Sequence, residues 1–251
     1  MRLVHYVPIL TTVLSVLFAA SLYRRYTVKR KPHLWWWAFG ITTYGIGTAI
    51  ESTITLFGNT VFLTKFWYIA GALLGGYPLA QGSLYLSWSR RFANRLTVVS
   101  VIFVAVSTVL VILSPVNIAA LEPTRPSGAI LGWQWVRLLT PFINLYAVFF
   151  LIGGAIVSAW RHYYDRGHSY RAAGNALIAL GALMPGIGGS FAKAGLVEAL
   201  YIGECVGLIV IWIGDRVCAR QEVAPAKTPG VFRAPRGHPV SSEHPRTPGV
   251  F

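Results

Sequence analysis

The chain has 251 residues, 55% of them hydrophobic and only 12% charged, with a mean hydropathy of +0.56. Soluble domains carry about 25% charged residues, so this composition excludes an ordinary water-soluble globule and points to a chain that lies mostly in lipid. The net charge of +14 invites nucleic-acid binding, but the basic residues sit in short clusters between apolar runs, which argues against that partner.

Apolar windows long enough to cross about 30 Å of hydrocarbon recur seven times, at 6–23, 35–57, 66–89, 96–114, 134–160, 172–191 and 199–215. The reading is all-α: a seven-helix transmembrane domain over 1–220. The first window has a signal-peptide look, but it runs directly into "RRYTVKRK", which suits a retained span. Basic clusters at 24–31, 90–95, 161–171 and 216–246 fall on one side of the membrane. Arg2, Lys65, Arg125, Arg137 and Lys193 fall on the other. The positive-inside rule then places the N-terminus outside and the C-terminus in the cytoplasm, with the basic clusters against anionic membrane lipid.

The second span, "HLWWWAFGITTYGIGTAIESTITLFG", contains one carboxylate, Glu51. A charge near the bilayer centre costs roughly 2.5–3.5 kcal/mol on insertion scales, so it calls for a reason. Tyr44, Gly47, Thr48, Glu51 and Thr55 share one helical face. Ile46, Ala49, Ile50, Ile54 and Phe57 form the opposite one, which is expected to face lipid. Glu51 would lie about 24 Å above the cytoplasmic start of its span. Trp35, Trp36, Trp37, Trp133 and Trp135 read as interface anchors.

The third span breaks at "GGYP", where Pro78 follows Gly75, Gly76 and Tyr77. Proline removes a helix hydrogen bond, and Gln81 continues a polar face beyond it. The outer segment 115–133 is expected to cap the bundle. Span five carries Arg137 and Asn144. Span six has a second break at "MPGIGGS" around Pro185, and Lys193 follows it. Span seven carries Tyr201 and, at the same depth as Glu51, Glu204. Intramembrane charges pair or face water, and Glu51–Arg137 and Glu204–Lys193 are candidate pairs. Gly71 with Gly75, and Gly203 with Gly207, have small-residue packing spacing. The Tyr-Ile-small-Gly pattern around Tyr68 and Tyr201 suggests two three-helix halves. Asp215 reads as a helix-end charge, and Cys205 and Cys218 lie about 20 Å apart along one helix, too far for a disulfide.

No histidine sits in mid-span, no lysine sits in the middle of span seven, and no hydrolase or metal-ligand motif is present. The expectation is a non-enzymatic protein without cofactor or metal. Residues 221–251 are basic and Pro-rich, with "TPGVF" at 228–232 and 247–251. They read as a disordered cytoplasmic tail that either contacts a cytoplasmic or membrane protein partner or is merely solvated.

"WWWAFGITTYGIGTAIE" followed by "KFWYIAGALLGGYPLAQGSLYL" resembles the bacterial seven-transmembrane input domains that precede some histidine kinases, and their stand-alone relatives. At the level of architecture the layout is similar to the three-plus-one-plus-three transporter and rhodopsin-like superfamily. The resemblance implies a sensory or ligand-binding role in the bacterial cytoplasmic membrane. The candidate ligand residues are Glu51, Glu204, Lys193, Arg137, Tyr44, Tyr77, Gln81, Tyr201 and Asn144, with movable points at Pro78 and Pro185. The alternatives are a small proton-coupled transporter and an accessory subunit of a membrane complex.

Overall fold

The computed structural model describes residues 6–164, 169–193 and 195–220. The tail at 221–251 and its two "TPGVF" copies lie outside the described residues. The described chain is helical throughout, apart from turns and a single antiparallel bridge between Val116 and Leu131. Its helices are α1 (Val7–Lys29), α2 (Pro32–Phe57), α3 (Val61–Trp67), α4 (Tyr77–Ser87), α5 (Arg90–Leu113), α6 (Leu139–Ala147), α7 (Gly154–Tyr164), α8 (Ser169–Lys193) and α9 (Val197–Arg220). Four helical stretches are long and apolar enough to cross a membrane: Val7–Lys29, Arg90–Leu113, Gln134–Ser158 and Ala172–Ala192.

Local chemistry sets the helix ends. Prolines open the first turns of α1, α2 and α4, where a missing N–H costs nothing. The Thr60 and Ser89 hydroxyls accept from the N–H groups of Leu63 and Phe92 and cap α3 and α5. Gly58, at φ +87°, ends α2 in a conformation that L side chains rarely adopt.

Two of these helices are continued by π-turns, Tyr68–Leu73 after α3 and Val148–Gly153 between α6 and α7. The first leads into the expected break. Pro78 cannot donate to the carbonyl of Leu74, and the hydroxyl of Thr43 on α2 donates there instead, at 3.3 Å. The second proline acts differently: Pro185 sits inside an uninterrupted α8. The Gly181 carbonyl that it leaves without an N–H faces Gly207 of α9, where a Cβ would come within 2.6 Å of that oxygen. Close Cα–H···O contacts of this kind substitute for part of the lost bond. Glycine thus holds α8 and α9 together along their length. Gly174, Gly181 and Gly188 on α8 abut the α9 backbone, and Gly203, Gly207 and Gly214 abut that of α8.

The α2 helix is central, and this corrects the expected lipid-facing side at Ile50 and Ile54, while Phe57 at its end is exposed. Ile50 and Ile54 are 5% and 2% exposed and pack against Ala70, Leu63 and Trp67. The broad apolar surface belongs to α5, where Val98, Val99, Ile102 and Val106 are all more than half exposed. Trp37 is not an anchor either. Its indole donates to the Leu79 carbonyl at 3.1 Å and fills the space left by Gly82. Asp215 lies inside α9, is 4% exposed, and accepts both of its bonds from Arg25 Nη1 of α1, at 2.8 and 2.6 Å. It is a buried ion-pair partner rather than a solvated helix end.

Two outcomes follow from this packing. Gly181→Ala places a methyl 2.7 Å from the Gly207 carbonyl oxygen, an overpacking cost of about 1–3 kcal/mol against a helix-propensity gain of about 1 kcal/mol. Its melting temperature in detergent falls, whereas Gly186→Ala, with nothing within 4 Å, does not melt lower. Arg25→Asp and Asp215→Arg each destabilise by about 3 kcal/mol, because each leaves a buried like-charge pair. The double swap recovers most of the loss, measured by the same melt.

Candidate functional site

Glu51 is carried by the central helix α2 and is 3% exposed. The indole N–H of Trp67, the last residue of α3, donates to Glu51 Oε1 at 2.7 Å. Glu204, on α9, places its carboxyl beside that of Glu51. The Tyr44 hydroxyl, two turns before Glu51, donates to the Glu204 backbone carbonyl at 3.0 Å and locks α2 against α9 at this level. Glu51 Oε2 and Glu204 Oε2 are buried and meet no N–H or O–H donor among the described residues. Carboxylates only accept hydrogen bonds, so both oxygens stay unsatisfied unless a proton or a ligand stands beside them.

The pair faces a cavity of about 690 Å³, well within the range of small-molecule sites. Its walls come from α2, from the first π-turn, from the second π-turn, from α8 around Pro185, and from α9. Both π-turns therefore border the cavity, as such irregularities often do at functional sites. Gly47 and Gly71 let α2 and the first π-turn approach so closely that a Cβ at Gly47 would lie 3.3 Å from Gly71 Cα.

One end of the cavity is bordered by residues 125–128 of the long connection between α5 and α6. Asn59 holds this connection. Its side-chain amide donates to the carbonyls of Glu122 (2.7 Å) and Arg125 (3.0 Å), while its own oxygen accepts from Thr64. The connection is further seated by Ile130, Leu131 and Val136, none more than 1% exposed.

Of the residues singled out in the sequence, Tyr44, Glu51, Arg137, Asn144, Tyr201 and Glu204 line this one cavity, as does Pro185. Tyr77 and Gln81 do not. The Tyr77 hydroxyl is paired with Ser100 at 2.9 Å. Gln81 is fully buried, donating to Thr97 and accepting from Tyr146. These two bind α4 to α5 and α6. Pro78, in the first turn of α4, also stands outside the lining. The side chain of Lys193 lies outside the described residues, so the Glu204–Lys193 pairing does too. The Glu51–Arg137 pair is replaced by Glu51–Trp67 and Glu51–Glu204, while Arg137 donates to Gln134 at 2.8 Å. Cys205 and Cys218 are free thiols.

The sequence reading missed Trp67 and the buried role of Asp215. The first had a signal: a tryptophan at the start of a span, just before a run of glycines, facing the only carboxylate of its neighbour.

No protein-family model, curated protein or solved structure matches the chain.

A carboxyl that holds a proton inside an apolar cavity reacts with a hydrophobic carbodiimide, whereas a solvated carboxylate is spared. Dicyclohexylcarbodiimide at neutral pH is expected to label Glu51 or Glu204, read by peptide mass spectrometry. Glu51→Gln with Glu204→Gln abolishes the labelling. Modification of the surface acids alone would contradict the shared-proton geometry.

Proposed function

We propose that this chain is a polytopic protein of the bacterial cytoplasmic membrane that binds a small or amphipathic ligand in the Glu51–Glu204 cavity. In this reading it has seven spans: α1, α2, α3 with its π-turn and α4 as one interrupted span, α5, α6 with its π-turn and α7 as another, α8, and α9. The N-terminus is outside and the C-terminus is in the cytoplasm, which puts the cavity toward the outer leaflet with residues 125–128 near its mouth. The role is sensory and non-enzymatic, in line with the resemblance to kinase-linked seven-helix input domains.

The observation that supports this reading is that two buried carboxyls from helices far apart in sequence face one roomy cavity with unsatisfied oxygens. A helix pair needing only polar adhesion would close around such groups, because an unpaired buried acceptor costs about 1–3 kcal/mol or more. A cavity left beside them reserves those oxygens for something else. Signal transfer would proceed by a ligand's differential affinity for two helix arrangements, and the interrupted α3–α4 span is the natural place to flex.

A second reading, a small proton-coupled transporter, is favoured by one feature: a discontinuous span and one with a proline inside it border a carboxyl pair, the usual surroundings of a carrier's binding site. Reconstituted vesicles under an imposed pH gradient separate the two readings, since only a carrier accumulates ligand.

The binding reading has its own test. Gly189 lines the cavity, and a Cβ added there meets nothing within 4 Å, so Gly189→Phe fills space without a clash. Small amphipathic compounds that raise the melting temperature of the full chain in detergent are expected to lose that effect in Gly189→Phe. Equal stabilisation of the variant would remove the cavity as the binding site.

A further inference from the structure

The nature of the ligand can be taken one step further, and this step rests on the ligand-binding reading above. We infer that the Glu51–Glu204 pair is an organic-cation site that gives up one proton for each monovalent cation it takes in.

Three observations carry the inference. First, the deepest polar groups facing the cavity are acceptors. Glu51 Oε2 and Glu204 Oε2 are buried without a donor among the described residues, and Trp67 Nε1 and the Tyr44 hydroxyl are already committed to Glu51 Oε1 and the Glu204 carbonyl.

Second, the surrounding wall includes three aromatic rings, Tyr44, Trp67 and Tyr201. Rings around a carboxylate are the usual means of holding an alkylated or aromatic ammonium, through the negative ring faces. An inorganic divalent ion would require six or more oxygens, and no group of three His, Cys, Asp or Glu residues able to hold a metal occurs among the described residues. The volume of about 690 Å³ suits a molecule rather than a bare ion.

Third, the two arginines of the lining already have partners. Arg125 is tied to Glu122, and Arg137 is exposed and bound to Gln134.

The exchange balances in charge. The empty pair holds one proton between two carboxyls and carries a net charge of −1. A cation entering between them makes both carboxylates useful, and the shared proton leaves for solution: cation plus the hydrogen-bonded pair gives the cation held by two carboxylates plus H⁺. Among the described residues, the titratable or charged groups facing the pair are Tyr44 on α2, Tyr201, Cys205 and Glu198 on α9, and Arg125 with its Glu122 from the long connection. Arg137 stands at the margin. The lining residues of α8 and of the second π-turn add no titratable side chain. None of these groups is an alternative acid between the two glutamates, so the released proton is assigned to the pair.

The test uses the full chain in detergent and three probes of similar shape: tetraphenylphosphonium, tetraphenylborate and neutral triphenylphosphine oxide. Because the phosphonium does not titrate, any pH dependence of its affinity belongs to the protein. Titration calorimetry at pH 6 and pH 7, in two buffers of different ionisation heat, is expected to show phosphonium binding about tenfold tighter at the higher pH, the linkage of one proton per cation. One proton is released per site, and binding by the borate is at least tenfold weaker. Glu51→Gln and Glu204→Gln each abolish the pH dependence and weaken the phosphonium. Gly189→Phe excludes it by filling the cavity.

Phosphonium affinity independent of pH, or borate bound as tightly as phosphonium, overturns the inference. If the borate or the neutral probe binds and Gly189→Phe removes that binding, the cavity still binds ligands and only the cation assignment falls. If no probe responds to Gly189→Phe, the cation site fails together with the binding reading beneath it.

Discussion

The contact between the carboxyl groups of Glu51 and Glu204 organises everything else proposed for this molecule. Two acids in an apolar interior repel if both are charged and leave bare acceptors if they are not satisfied. The protein supplies Trp67 to one oxygen of Glu51 and each acid to the other, and leaves open space beside them. That arrangement is costly for a scaffold and useful for a site, because a proton or a cation is the natural occupant of the gap between two carboxyls.

The rest of the bundle supports this gap. Tyr44 fixes α9 against α2 at the level of Glu204. Thr43 takes up the carbonyl released by Pro78, so the interrupted span stays stable where it borders the cavity. The glycines of α8 and α9 allow those helices to pack backbone to backbone, which keeps the α9 acid in place without bulky residues. At the other end Arg25 and Asp215 lock α1 to α9. The cavity is thus bordered by elements held rigidly at two levels, with irregular π-turns at its walls where adjustment is cheapest.

Much of the fold could be read from the chain. Long apolar windows forecast helices, and Pro78 forecast the break before α4, whereas the break expected at Pro185 is absent because α8 runs through it. Glu51 and Glu204 stood out because a carboxylate in an apolar run demands a reason, and helical spacing put Tyr44 on the face of Glu51. What the sequence could not give was three-dimensional. The α2 helix is buried on nearly all sides, so its Ile50 face looks lipid-facing by composition but packs inward on Ala70 and Trp67. Polar residues carry no label saying whether they serve a cavity or a helix contact, which is why Gln81 and Tyr77 seemed alike to Tyr44 and Tyr201. Pairing was equally hidden. Simple charge complementarity suggested Glu51–Arg137, whereas the helix positions bring acid to acid. The π-turns leave no clear mark in sequence beyond the glycines that accompany them.

The most direct measurement is a crosslink between positions 51 and 204. In a chain with Cys205 and Cys218 replaced by serine, Glu51→Cys and Glu204→Cys together are expected to be bridged within one molecule by a short bifunctional methanethiosulfonate added from water. Each single variant is expected to take up a water-soluble monofunctional methanethiosulfonate. Absence of the bridge while both single cysteines react would show that the two positions do not share one hydrated cavity, and the account built on the carboxyl pair would fail.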